Sequence, residues 1–347
     1  MTLEDVANQL LLPILGDVEP NALELSVKEK AMEAELRKGM SGNAKLSHWV
    51  GSFSKAFVVA RRATFVIFWL CKFIFGSHPH YAVKPLYFHL AIKIFAGVSL
   101  PLAPMFLCHL YVQLDILQSD EKQVGSCHIV TTSAHSTILQ HLLCERCATH
   151  LAKCRPIRFA KEGYHSCPKV IIDFYGRFAF DFLLAFCWVG LKPFGHPIVE
   201  FFDKGVGFCW KAYRSLCTGY TCADSAMCSF VNTARTTTLL TGFDERGITY
   251  LATTKVGWLP YLTNKGIQFV HYSAYRVMKQ FGLDQDIPDD FSAIMDSPSF
   301  VRPFLRHNAF EFWSRHFTAV TVLGSQREGI CTAIMHEYWQ AVMISFE

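Results

Sequence analysis

Along "TLEDVANQLLLPILGD", residues 2–17, the alternation of apolar and polar positions predicts a helix. Thr2 caps it, Asp5 places an acid in the first turn where backbone N–H groups lack partners, and Pro13 limits it. A second, mostly polar helix is expected across "SVKEKAMEAELRKGMSG", capped by Ser26, with Glu33 and Arg37 one turn apart and Gly39 as its stop. From residue 47 to Gly76 the apolar positions run almost without a break, interrupted by Lys55, Arg61, Arg62 and Lys72, which predicts one or two buried helices. "KPLYFHLAIKIFAGVSL" predicts another, and "PLAPMFLCHLYVQLDILQSD" a further one opened by Pro101 and Pro104.

Between 160 and 260 glycine and proline punctuate short aromatic runs. Helices are expected there over 173–191 and 196–216, and a short strand within "GITYLATTKVGWLPYL". "SAYRVMKQFG" ends at Gly282 as a helix should, and "DQDIPDDF" reads as an acidic turn carrying Pro288. Two amphipathic helices follow, in "RHNAFEFWSRHFTAV" and "REGICTAIMHEYWQAVMISF". The fold class is mainly α: a multi-helix single globular domain with little or no β structure. Residues 1–290 form its body and 291–347 a C-terminal helical extension on the same core.

Composition changes this picture little. A chain of 347 residues that is 51% hydrophobic has ample material for a core. Its mean hydropathy of +0.21 raises a membrane reading. The longest charge-free run, Ile94 to Leu114, contains Gly97, Ser99, two prolines, His109 and Gln113, whereas a span needs about 20 predominantly apolar residues. A buried core helix is therefore expected and no membrane contact. "MTLEDV" has no basic or apolar leader pattern, and 13 cysteines, an odd number, suit reduced thiols in an intracellular chain. Charge is uneven: the first 50 residues hold five Lys/Arg against eight Asp/Glu, a balance of −3, which leaves +7 of the net +4 for the rest. The stretch 146–161 carries Arg146, Lys153, Arg155, Arg158 and Lys161 with one acid-free run between them, a pattern that a solvated face or a polyanion contact would both explain.

Residues 127–154 gather four cysteines and four histidines. Cys144, Cys147, His150 and Cys154 follow a C-x2-C-x2-H-x3-C order that suggests zinc, but on one continuous helix they would spread over about 15 Å and could not converge tetrahedrally. Helical spacing instead places the three cysteines with Leu143 and Leu151 on one buried stripe, and Glu145, Arg146, Thr149 and Lys153 mostly outside it. His165 near Cys167 is a chance neighbour in a chain with 15 histidines, and the carboxylates of "DQDIPDD" lack the glycine and terminal glutamate of a calcium loop. Phosphate loops and the HExxH and GxSxG signatures are missing. No catalytic residue, metal or cofactor is expected.

"TLEDVANQLLLPILGD", "ARRATFVIFWLCKFIFG", "YFHLAIKIFAGVSLPLAPMFLCHLYVQLD" and above all "YRVMKQFGLDQDIP" resemble the plant mobile domain. Arg276, Gln280, Phe281, Gly282, Gln285, Ile287 and Pro288 stand at the positions of that family's R-x-x-x-Q-F-G-x-x-Q-x-I-P pattern. The domain, sometimes labelled aminotransferase-like, occurs in plant transposable elements and in the maintenance-of-meristems proteins. The resemblance implies a nuclear protein acting in transposon silencing, gene expression and meristem maintenance, or a transposon-derived remnant, with nuclear protein partners and without established catalytic residues. Nucleic acid would contact the stretch 146–161. Family members carry chain ahead of the first helix, so a truncated copy is implied. Some relatives have a phosphatase domain, but the metal-holding motifs of that domain are missing here. The alternative is an enzyme of transposon origin, a metal-dependent nuclease or a pyridoxal-phosphate relative. The nuclease would need converging carboxylates and the relative a Schiff-base lysine in a recognisable constellation.

Overall fold

Reciprocal caps start the first two helices. In α1 (Leu3–Leu10) the Thr2 hydroxyl accepts from the Asp5 N–H, and the Asp5 carboxylate accepts from the Thr2 N–H at 2.7 Å. Leu11 ends the helix in the left-handed region at φ 52°. Ser26 and Glu29 repeat the arrangement at α2 (Val27–Lys38), whose polar surface is laced by the Glu33–Arg37 pair and whose one buried residue is Leu36. The computed structural model describes residues 1–38, 40, 44–53, 58–76, 78–123, 132–147, 207–214, 244–287, 302–316 and 327–344, with short pieces at 182–184, 188, 220–221, 236–238 and 320–322.

The long apolar run divides into α3 (Leu46–Ser52) and α4 (Val58–Trp69), and α4 continues as one π turn over Leu70–Ile74. α5 (Phe88–Phe95) and α6 (Leu102–Gln123) follow. Trp49 ties α3 to α5 and α2: its ring stacks on Phe88 at 5.8 Å and its indole N–H donates to the Leu36 carbonyl at 3.2 Å. α7 (Ser136–Arg146) packs against α1.

Next among the longer described segments is α8 (Glu245–Thr254), then a hairpin of β1 (Gly257–Thr263) and β2 (Gly266–Tyr272), antiparallel, with Thr263 opposite Gly266 and a two-residue loop between. This region departs from the expected short strand in two ways. "GITYLATT" is helical, with Ile248, Leu251 and Ala252 buried, and the strand that follows spans seven residues with a partner of equal length. β1 lies across α6, where the Cys108 thiol donates to the Leu259 carbonyl.

A 3-10 segment (Ala274–Phe281), α9 (Arg306–His316) and α10 (Ala333–Ile344) complete the longer described elements. Phe304, Ala309 and Trp313 enter the same apolar core as Leu3, Phe88 and Phe106. Gly16 seals the junction: its N–H donates to the Phe304 carbonyl, its carbonyl accepts from Arg306, and a Cβ there would stand 2.4 Å from Pro101. The molecule is mainly α, as expected.

The helices expected over 173–191 and 196–216 lie mostly outside the described residues. Where those spans are described they hold no α-helix: Phe182–Leu183 pair in parallel with Tyr220–Thr221, and Ala212–Arg214 form a single 3-10 turn. A further short antiparallel pair joins Thr236–Thr238 to Val320–Val322, so the expected helix beginning at Arg306 gives way to strand by Val320. Among the described residues no helix is long and apolar enough to cross a membrane.

Candidate functional site

α1 is amphipathic, yet its polar side is also buried: Glu4, Asp5, Asn8 and Gln9 are all shielded from solvent. A carboxylate in that position needs a partner, because a buried unpaired charge is costly. Arg146, the last residue of α7, supplies it. Its guanidinium donates to Asp5 Oδ1 at 2.7 Å, with side-chain exposures of 1% and 0% for the two residues.

Both carboxylate oxygens of Asp5 accept further hydrogen bonds. Asp5 Oδ2 accepts from the Thr2 N–H and hydroxyl, and Asp5 Oδ1 also accepts from the Tyr213 hydroxyl at 3.0 Å. Tyr213 in turn accepts from the Gln9 amide at 3.0 Å. Arg146 donates further to Gln280 Oε1 at 3.2 Å and to the carbonyls of Cys209 and Trp210. Burial alone would raise the Asp5 carboxyl, but the Arg146 charge and the converging hydrogen bonds outweigh it and hold the group below its ordinary value. Burial and the neighbouring Asp5 charge push the Tyr213 phenol far up, so it stays protonated as a donor. Helical periodicity had put Arg146 outside the buried stripe. It is instead among the most buried side chains of α7, because its partner lies on α1 and not on α7.

Gln280 brings the pattern residues into this network. The 3-10 segment is kinked at Val277 and closed by Gly282 at φ +73°, a conformation glycine adopts without strain. Gln280 and Phe281 point inward, whereas Arg276 is exposed. Gln285 folds back over the turn, accepting from the Met278 N–H at 2.9 Å and donating to the Tyr275 carbonyl at 2.8 Å. Its backbone pairs in parallel with the segment ahead of α10, through Gln285 N–H to Ile330 and Thr332 N–H to Gln285.

Two acids extend this clasp. Asp284 accepts from Arg327 at 2.6 Å and from the Ile330 N–H, while Asp286 accepts from the Thr332 hydroxyl at 2.9 Å. Asp284–Asp286, the described start of "DQDIPDDF", are therefore a fastening for the C-terminal helix and not just a solvated turn. Gly329 fits within it because a Cβ there would fall 1.9 Å from the Leu283 carbonyl oxygen. Ile287 is exposed at the end of the clasp, and Pro288 lies outside the described residues.

The cysteine-rich stretch divides at the end of α7. Cys147 is buried and its thiol is pushed up to about 11 by burial and by neighbouring Cys144; Cys144 itself is half-buried. His150, Cys154, His165 and Cys167 lie outside the described residues, as do Lys153, Arg155, Arg158 and Lys161 of the basic stretch. Among the described residues no three His, Cys, Asp or Glu side chains group to hold a metal ion. His109, fully buried between Phe75 and Tyr261, was not anticipated. Its ring nitrogens have no hydrogen-bond partner among the described residues, and burial lowers it to about 4.

The family model described as plant mobile domain matches residues 1–340. No curated protein and no solved structure is significantly similar to the chain. The match takes in both ends of the buried network, the Asp5 helix and the Gln280 turn, and runs into α10. The chain belongs to the plant mobile domain family.

Proposed function

We propose that this plant mobile domain is a non-catalytic nuclear interaction module, associated with chromatin and acting in transposon silencing, gene expression and meristem maintenance, or a transposon-derived remnant of one. The observation that carries this reading is α10. The backbone of Gln285 and the side chains of Asp284 and Asp286 fasten the segment ahead of it, and it presents Ile334, Tyr338, Trp339, Met343 and Ile344 to solvent, with Trp339 50% and Ile344 71% exposed. A helix fixed at its start and apolar along its exposed flanks suits a protein partner, since aromatic and aliphatic anchors dominate binding energy at interfaces. The Asp5–Arg146–Tyr213 network supports the same reading from the other side: its charged pair and phenol are bonded to one another, away from solvent.

The test is a fluorescent fusion imaged in plant cells, together with proximity labelling by the wild-type chain and by W339D/I344D. Nuclear signal with labelled chromatin proteins that the double variant loses supports the proposal. A cytoplasmic signal, or identical labelling by both chains, overturns it.

A further inference from the structure

From Leu36 to Leu114 the chain contains no aspartate or glutamate and carries nine Lys/Arg. Part of that charge is neutralised from α2: Arg37 pairs with Glu33, Lys38 with Glu35 and Lys93 with Glu29. Lys84 donates to the His78 carbonyl. Arg61, Arg62 and Lys72 have no ion pair among the described residues, and all three are exposed on α4 and its π turn.

Aromatic rings share their face. At about 100° per residue, Arg61, Phe65, Phe68 and Lys72 fall within about 60° of arc, bordered by Arg62, Trp69 and Phe73. Phe65 is 66% exposed and Phe73 48%, although the buried side of the same helix already holds Ala63, Ile67, Leu70 and Ile74. The π turn sets Phe73 edge-on to Phe68 at 5.7 Å, and the Lys72 ammonium lies over both rings, at 5.5 Å and 5.7 Å. The acids of α2, which packs on α4, are the ones already engaged by Arg37, Lys38 and Lys93.

We propose that this face of α4 binds single-stranded nucleic acid, with Arg61, Arg62 and Lys72 on phosphates and Phe65 and Phe73 stacking on bases. Cations interleaved with rings along one exposed stripe are what a single strand requires, because every base has a π face and every linkage a charge. A lipid-binding helix segregates its cations from an insertable apolar face, whereas here the opposite face is filled by the protein core. A duplex reader offers polar groups to base edges and would leave these rings in water. The stretch 146–161 loses Arg146 to Asp5, so α4 is the better-placed cationic surface among the described residues. The inference is independent of the α10 surface.

Fluorescence anisotropy with a labelled oligo(dT) of about 20 nucleotides tests it, with a duplex of the same length and vesicles containing phosphatidylserine as competitors. Three phosphate contacts give a slope of about −2 in log K against log salt, so affinity falls about 16-fold between 50 and 200 mM salt. R61Q/R62Q/K72Q removes that slope, F65A weakens binding about 5- to 150-fold, and R315Q on α9 changes neither. Circular dichroism checks that each variant is folded. No binding at low salt, equal binding by R61Q/R62Q/K72Q, preference for the duplex, or displacement by vesicles each overturns the proposal.

Discussion

Replacing Arg146 with alanine strips the buried Asp5 carboxylate of its counter-ion and leaves the Gln280 amide oxygen and the Cys209 and Trp210 carbonyls without their shared donor. Breaking a buried pair from one side costs about 3–5 kcal/mol. Asp5 keeps three donors, from Thr2 and Tyr213, which places the expected loss near 3 kcal/mol. That is a large part of the 5–15 kcal/mol by which folded domains are stable. Urea unfolding measures it as a lowered midpoint.

The pH dependence separates a charge effect from lost packing. In the wild-type chain Asp5 is depressed in the folded state, so its contribution is present above the unfolded carboxyl value and is lost as pH falls below it. In R146A burial dominates, and Asp5 is raised in the folded state. The penalty is then greatest at neutral pH and shrinks toward pH 4 as the carboxyl takes a proton. Adding D5N to R146A recovers part of the loss at pH 7. A penalty under about 1 kcal/mol, or one that is the same at pH 7 and pH 4.5, would refute the account of a charge held in place by its partner.

Removing the Gln280 acceptor with Q280L should cost about 1.5–3 kcal/mol in the same urea assay, because it withdraws a hydrogen bond from a buried cation. H109F should flatten the stability profile between pH 6.5 and pH 4: neutral, buried His109 makes the wild-type chain lose stability as pH falls through that window, and phenylalanine cannot titrate. An unchanged acid slope in H109F would remove His109 from that role. G329A drives a methyl group into the Leu283 carbonyl, and overpacking of this kind costs about 1–3 kcal/mol. Hydrogen exchange should accelerate across 333–344 while α1 and α6 keep their protection; uniform acceleration would mean that the clasp is not a local fastening.

Local signals were legible in the sequence where they act locally. Thr2 and Ser26 cap helices as read, the Glu33–Arg37 pair forms, and Gly282 closes the segment ahead of it. The "GITYLATT" helix was missed because glycine and threonine density argues against helix, whereas burial of Ile248, Leu251 and Ala252 decides in its favour. The hairpin has its signal in Asn264–Lys265–Gly266, set between two apolar stretches. Arg146 illustrates the harder case. Periodicity treats an arginine as solvent-facing, and only a carboxylate brought in from 141 residues away makes its burial favourable. The pattern was legible as a pattern but not as a clasp, since the partners of Gly282 and Gln285 at 327–332 carry no signature.

The first helix is closed by residues made far later. The Leu3 N–H meets the Tyr272 hydroxyl across 269 residues, and Asp5 reaches Gln280 through Arg146. At about 5–20 residues per second the ribosome needs about 15–55 s to supply that partner. Through that interval α1 has a ready-made cap, and Arg146 and Tyr213 are made before Tyr272 and Gln280, so its polar side is closed only in part. Complete docking of α1 thus waits for residues 272–280, and a nascent chain stalled before residue 272 should keep its first helix more open to proteases and chaperones than the finished fold does.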